Sequence, residues 1–273
     1  MSVAQPQNPP PASASNSRQI TIVSHSTLFY WWPVWALGLL LGLLSLIGGH
    51  RMAVLPKETD VVRGALVSEP TKEFKNRDVL VLPPEHKLSD EPLRLHISNR
   101  KGFGVLFATI LLLVVVITNV PLRGMWSFMV IFLIVALSII FALAGWWETI
   151  LRNLDYLDIR INAGGYFFLS VILFVIWLFT VLVFDKQIYM VFAPGQFKVC
   201  TEVGGGEQTY STIGMTLEKQ RSDLFRHWIL GLGSGDLIVK TTGAQAHHFE
   251  MQNVLFIGRK MQQIEDMVRK IPD

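Results

Sequence analysis

The stretch that decides the fold reads GFGVLFATILLLVVVITNV over residues 102–120, PLR over 121–123 and GMWSFMVIFLIVALSIIFALAGWW over 124–147. Neither Phe103–Val120 nor Gly124–Trp147 holds a charged side chain, and only Pro121-Leu122-Arg123 parts them. At about 1.5 Å per helical residue, 18 and 24 residues reach roughly 27 and 36 Å, against about 30 Å of bilayer hydrocarbon. A soluble helix needs a polar face, and these blocks have none. So tight a turn requires the two helices to run antiparallel. The reading is a transmembrane hairpin.

Composition agrees with it. Hydrophobic residues make up 51% of the 273 and charged ones 16%, below the roughly 25% of soluble domains. The net charge is only +3, with 24 Lys and Arg scattered among 21 acids, so no basic face is offered to nucleic acid. One cysteine, Cys200, excludes an internal disulfide and a cysteine zinc site.

Two further apolar runs flank the hairpin. Residues 28–49 are too long for a signal-peptide core and end without a small-x-small cleavage pattern, so a retained first helix is expected. Phe29, Tyr30, Trp31, Trp32 and Trp35 are expected at headgroup depth, with Pro33 tolerated in the first turn. Gly38 and Gly42 are spaced for close helix packing, within the chain or between copies. The fourth run is 166–184, again without charge, bringing the expected spans to four (28–49, 103–120, 124–147, 166–184) and both termini to one side.

Between them lie polar segments. Residues 1–27 are a Pro- and Ser-rich tail and lead-in, expected to be disordered at least through residue 19. Residues 50–102 read as a solvated loop with local strands at Val61-Val62, Val79–Leu82 and Leu93/Leu95/Ile97; a small subdomain is the alternative. Pro83-Pro84 and Pro92 interrupt it. Residues 148–165 mix apolar and charged side chains as an interfacial amphipathic helix would, ending near Asn162-Ala163-Gly164-Gly165.

Residues 187–273 change character. Alternating runs at Ile188–Phe192, Phe197–Cys200 and Leu237–Lys240 are separated by turn signals at Pro194-Gly195, Gly204-Gly205-Gly206 and Thr242-Gly243. Ile257, Met261, Ile264, Val268 and Ile271 then mark one face of a helix. Strands closed by one amphipathic helix predict a small open barrel plugged at one end.

Catalytic and ligand patterns are sparse. Gly231-x-Gly233-x-Gly235 precedes a strand pattern rather than a helix, which argues for a turn needing positive φ and against a phosphate loop. His247 and His248 would face opposite sides of a strand and could not chelate together, even with Glu250 nearby. Cys200 reads as a small core residue. Asp223, Arg226, His227 and Asp236 form the most polar cluster near the glycine turn, either a binding site or an ordinary solvated turn. No Asp, Glu, Lys, Arg or His interrupts any span, where proton or ion pathways usually need one. No catalytic residue, metal or cofactor is expected.

The run Arg226-His227-Trp228-Ile229-Leu230-Gly231-Leu232-Gly233-Ser234-Gly235-Asp236-Leu237-Ile238-Val239, with Asn253-Val254 and the last helix, resembles the bacterial pleckstrin-homology-like domain. The resemblance covers residues 187–273. It implies a seven-stranded, strongly bent sheet capped by the helix, used in binding or assembly and often attached to multi-pass membrane helices. A non-enzymatic membrane protein presenting such a module to protein or lipid, possible as an oligomer through helix packing, is therefore expected. A transporter or channel subunit, testable at Thr118 or Asn119, and a membrane enzyme using 223–236 are the alternatives.

Orientation signals conflict. Arg51, Arg94, Arg100, Lys101, Arg152 and Arg160 outweigh Arg18, Arg123, Lys186 and Lys198, which favours a cytoplasmic long loop. The resemblance favours a cytosolic C-terminal module in a bacterial inner membrane, and that placement is the expectation carried forward.

Overall fold

The computed structural model describes residues 19–69, 72–85, 95–100, 102–120, 124–201, 205–220, 223–242 and 246–269, and every structural statement below concerns these. The sequence readings at 1–18, Pro92, Leu93, Arg94, Lys101, 121–123, Gly204, Gly243 and Ile271 fall outside them.

In chain order, strand β1 (Ile20–Val23) and a 3-10 turn (Thr27–Trp31) lead into helix α1 (Trp32–Ile47). Strands β2 (His50–Met52), β3 (Asp60–Glu69), β4 (Lys72–Val81) and β5 (Leu95–Ile97) follow. Helices α2 (Gly102–Asn119), α3 (Met125–Leu143), α4 (Trp146–Asp155) and α5 (Ala163–Phe179) come next. The last helix continues through a π turn (Thr180–Phe184) and a 3-10 turn (Asp185–Gln187). Then come β6 (Tyr189–Ala193), β7 (Gln196–Cys200), β8 (Gln208–Ser211), β9 (Thr216–Gln220), a π-helical segment (Phe225–Leu230), β10 (Gly235–Lys240), β11 (His248–Val254) and α6 (Ile257–Arg269).

Four helical stretches are long and apolar enough to cross a membrane: Thr27–Ile47, Gly102–Asn119, Met125–Leu143 and Ala163–Gln187. On α3, Trp126, Phe132 and Leu143 stand open, a surface that water covers poorly. The third span ends earlier than the charge-free run does. Gly145 turns the chain at φ 69°, and Trp146 and Trp147 open α4 instead. Glu148 in the first turn of α4 and Arg152 in its last both complement the helix dipole and favour the helix. The amphipathic helix stops at Asp155, short of the Gly164-Gly165 pair expected to end it. That pair instead lies in the first turn of α5, because Asn162 Oδ1 accepts the Gly165 N–H at 2.6 Å as an N-cap.

The chain forms two compact units, one of Met1–Ala36, Thr109–Thr149 and Ile172–Asp273, the other of Leu37–Ala108 and Ile150–Val171. Within the second unit, β2 pairs with β5 and β3 with β4, so Val61, Val62, Val79, Leu80, Val81, Leu95 and Ile97 of the expected strand pieces lie in strands, while Leu82 falls just past β4. Gly38 lies against Ser170 Oγ and the Phe107 ring, and Gly42 stands 3.2 Å (from an ideal Cβ) off the Phe167 ring. The small-residue stripe of α1 is thus a contact inside the chain, reinforced by an edge-on Phe107–Tyr166 pair at 5.5 Å.

In the first unit, two antiparallel sheets are built, ordered β1-β6-β7-β8 and β11-β10-β9. Alternation sends Met190 and Phe192 of β6 and Phe197 and Val199 of β7 inward, where they meet Ile22, Leu237, Val239 and Met251. Helix α6 adds Ile257, Ile264 and Met267 to this core. Each such side chain contributes about 1.5–3 kcal/mol when fully buried. β1 is the addition to the expected layout. Residues 20–27, assigned to the lead-in, supply an edge strand in register Ile22↔Met190 and the turn that starts the first span.

Candidate functional site

The polar cluster singled out near the glycine turn folds inward. Asp223, Arg226, His227 and Asp236 are all buried, His227 to 1% exposure, so they form neither a solvated turn nor an open pocket. Local chemistry explains how they get there. Asp223 Oδ1 accepts the Arg226 N–H at 2.9 Å, and Asp223 O accepts the His227 N–H at 3.0 Å, which starts the π-helical segment. A Gly233 N–H to His227 O bond at 2.9 Å ties the glycine turn back onto the same segment.

The four side chains pair two by two. Arg226 Nε lies 3.5 Å from Asp223 Oδ2, and His227 Nε2 lies 3.5 Å from Asp236 Oδ1. These are ion-pair separations, longer than good hydrogen bonds. The shorter bonds run elsewhere. Asp236 Oδ1 accepts the Asn253 N–H at 2.9 Å, across a bulge where the β10–β11 register shifts between Gly235 and Leu237. Asn253 sits at φ 55° and is 1% exposed. A left-handed backbone is tolerable for Asn, whose short side chain bonds locally.

Asn253 connects that bulge to the start of the first span. Tyr30 Oη donates to Asn253 Oδ1 at 2.8 Å and lies 3.0 Å from Ser234 Oγ. Asn253 Nδ2 donates to His25 O at 2.8 Å. The His25 Nδ1 lies 3.0 Å from Asp185 Oδ2, and Asp185 Oδ1 accepts the Ser26 N–H at 3.1 Å. Trp32 Nε1 donates to Leu230 O and Trp177 Nε1 to Phe29 O, both at 3.0 Å. Trp35 packs on Phe174 and Trp177 beside them, with centroids 4.8 and 5.4 Å away. Gly231 is needed here for closeness: a Cβ would meet Ser234 Oγ, the Tyr30 ring and Arg226 O.

Sequence reading therefore found four members of this network and missed Tyr30, Asn253, Ser234, His25 and Asp185. Tyr30 was expected at headgroup depth, yet it is wholly enclosed by protein. Removing its hydroxyl leaves the Asn253 and Ser234 side chains short of a buried partner, so Tyr30→Phe is expected to cost about 1–3 kcal/mol. Thermal unfolding of the full chain in detergent, followed by near-ultraviolet circular dichroism, measures it.

The other candidates lie apart from this network. Gly233 turns at φ 84° and is followed by β10, so the glycine run is a turn into a strand. His247 stacks near Phe249 with ring centroids 6.0 Å apart and tilts on Tyr210 at 5.0 Å. Cys200 is buried at the end of β7, its thiol 3.6 Å from Gly205 O. Thr118 Oγ1 and Asn119 Nδ2 bond back to the Val114 and Val115 carbonyls of their own helix at 2.7 and 2.8 Å. No group of three metal-capable side chains occurs among the described residues. Comparison with known families, curated proteins and solved structures finds no match to this chain.

Proposed function

We propose that this chain is a four-span membrane protein whose C-terminal pleckstrin-homology-like module binds protein or lipid at the membrane surface and acts in assembly rather than catalysis. The carrying observation is the buried network through Tyr30, Asn253 and Asp185, which holds the module on the ends of two spans. A module held so is presented in a fixed orientation, and preorganisation of that kind reduces the cost of binding a partner. Seven strands in sheets of four and three, followed by α6, support the likeness to the pleckstrin-homology-like fold. Among its departures from the likeness, the edge strand β1 precedes the spans instead of lying within 187–273, and the Phe225–Leu230 helical segment parts β9 from β10.

The test is site-specific photo-crosslinking of the full chain in native membranes. A crosslinker at Gln208 or Thr209, both exposed on β8, is expected to give discrete protein or lipid adducts that Asn253→Leu abolishes. Adducts unaffected by that substitution, or none, contradict the reading. The proposal puts the module on the cytosolic face of a bacterial inner membrane, so protease is expected to digest residues 187–273 in inverted vesicles and spare them in intact spheroplasts.

A further inference from the structure

The π-helical segment has two faces. Arg226, His227 and Leu230 are buried, while Trp228 and Ile229 stand 67% and 58% exposed. Leu232, in the glycine turn just beyond, is 67% exposed, and Phe256, before α6, is 56% exposed. Leu232 and Phe256 line one open groove together with Lys219, Arg259 and Glu265.

Two features set these side chains apart from scattered surface apolar residues. Leu232 (φ 49°) and Phe256 (φ 52°) both occupy the left-handed backbone region, which bulky side chains rarely adopt. Glycine or asparagine would fold there without strain, so nothing in the turns themselves calls for a large apolar group. The second feature is depth. Trp32, the first residue of α1, donates its indole N–H to Leu230 O. Successive Cα atoms are about 3.8 Å apart, so the Ile229 and Leu232 backbones lie within roughly 4 and 8 Å of the Leu230 Cα. The backbone of the Trp228–Leu232 tip therefore lies beside the start of a membrane span.

We propose that Trp228, Ile229, Leu232 and Phe256 form a wedge that inserts into the interfacial layer of the same bilayer the helices span. Tryptophan is the side chain best suited to that layer, with an apolar body and one N–H for the headgroup zone. Exposed Lys219 and Arg259 lie beside the wedge, where cations gain from anionic headgroups; Glu265 opposes them in part. The wedge adds a second contact to the one made by the spans, and fixes which edge of the module faces lipid. This inference rests on the membrane-module reading above and names lipid as one of its ligands.

The test uses the full chain with Cys200→Ser and single substitutions Trp228→Cys, Leu232→Cys and Phe256→Cys, each nitroxide-labelled and reconstituted into phosphatidylethanolamine–phosphatidylglycerol vesicles. Collision with oxygen, enriched in lipid, is compared with collision with a water-soluble nickel chelate. Phe132→Cys on α3 and Lys240→Cys on β10 serve as lipid and water references. The expected result is an oxygen-to-nickel ratio several-fold above that at Lys240→Cys for all three wedge positions. Ratios equal to the water reference, with Phe132→Cys still reading lipid, overturn the wedge and leave the membrane-module reading standing. A water-like Phe132→Cys overturns both. Exclusion of both reagents at the wedge marks a protein contact and overturns the assignment to lipid. A readout without labels guards against misfolded variants: brominated lipid is expected to quench the emission that Trp228→Phe removes, and absence of that quenching contradicts insertion.

Discussion

Asn253→Leu is expected to destabilise the C-terminal module by about 3–5 kcal/mol, the larger of the two effects foreseen for single substitutions. The reasons are separable. Leucine removes the acceptor of Tyr30 Oη, which then keeps only Ser234 Oγ, and the donor to the partly buried His25 O, each loss costing about 1–3 kcal/mol. It also places a branched apolar side chain at φ 55°, where a non-glycine, non-asparagine residue adds roughly 1 kcal/mol. Asn253→Gly keeps the backbone conformation and the N–H to Asp236 Oδ1 and removes only the side chain. It should therefore recover part of the loss. Urea unfolding of detergent-solubilised full chain resolves the order wild type, Asn253→Gly, Asn253→Leu; equal stability of all three would show that the side chain bonds contribute nothing.

Gly38→Leu is the second. An added Cβ meets Ser170 Oγ and the Phe107 ring, and Ser170 is wholly buried, so α1 and α5 must separate to admit it. Overpacking of this kind costs about 1–3 kcal/mol, more where backbone must move. Gly42→Ala gives the comparison, because there the nearest atoms belong to the edge of the Phe167 ring at 3.2 Å, which can turn aside. Proteolysis in detergent micelles should find Gly38→Leu cleaved well before wild type and Gly42→Ala close to it. Equal resistance of Gly38→Leu would place no tight helix contact at that position.

What could be read from the residues follows from how local each signal is. The spans were legible because an unbroken charge-free window needs no knowledge of its neighbours, and the face of α6 because Ile257 and Ile264 repeat at helical spacing. β1 was not, since Ile20-Thr21-Ile22-Val23 is four residues long and its partner β6 lies beyond all four spans. The cluster at Asp223, Arg226, His227 and Asp236 was found as chemistry but read as a binding site or a solvated turn, because charged side chains are usually exposed unless paired. Its pairing partners were hidden for two different reasons. Tyr30 stands among interfacial aromatics, and Asn253 owes its role to a bulge that no periodicity shows. Asn162-Ala163-Gly164-Gly165 misled in the opposite sense, since glycines after an amphipathic run read as a stop while Asn162 in fact caps the next helix.

Tyr30 and Asn253 are proposed to join the β module to the ends of the first and fourth spans as one folded body. Amide hydrogen exchange of the full chain in lipid nanodiscs tests it most directly, at the His25 and Ser26 N–H groups bonded to Gln252 O and Asp185 Oδ1. Both are predicted to exchange as slowly as the central β10 amides and to speed up together in Asn253→Leu. Rapid exchange at His25 and Ser26 while β10 stays protected would mean that the module hangs from the spans on a flexible tether, and would contradict the claim.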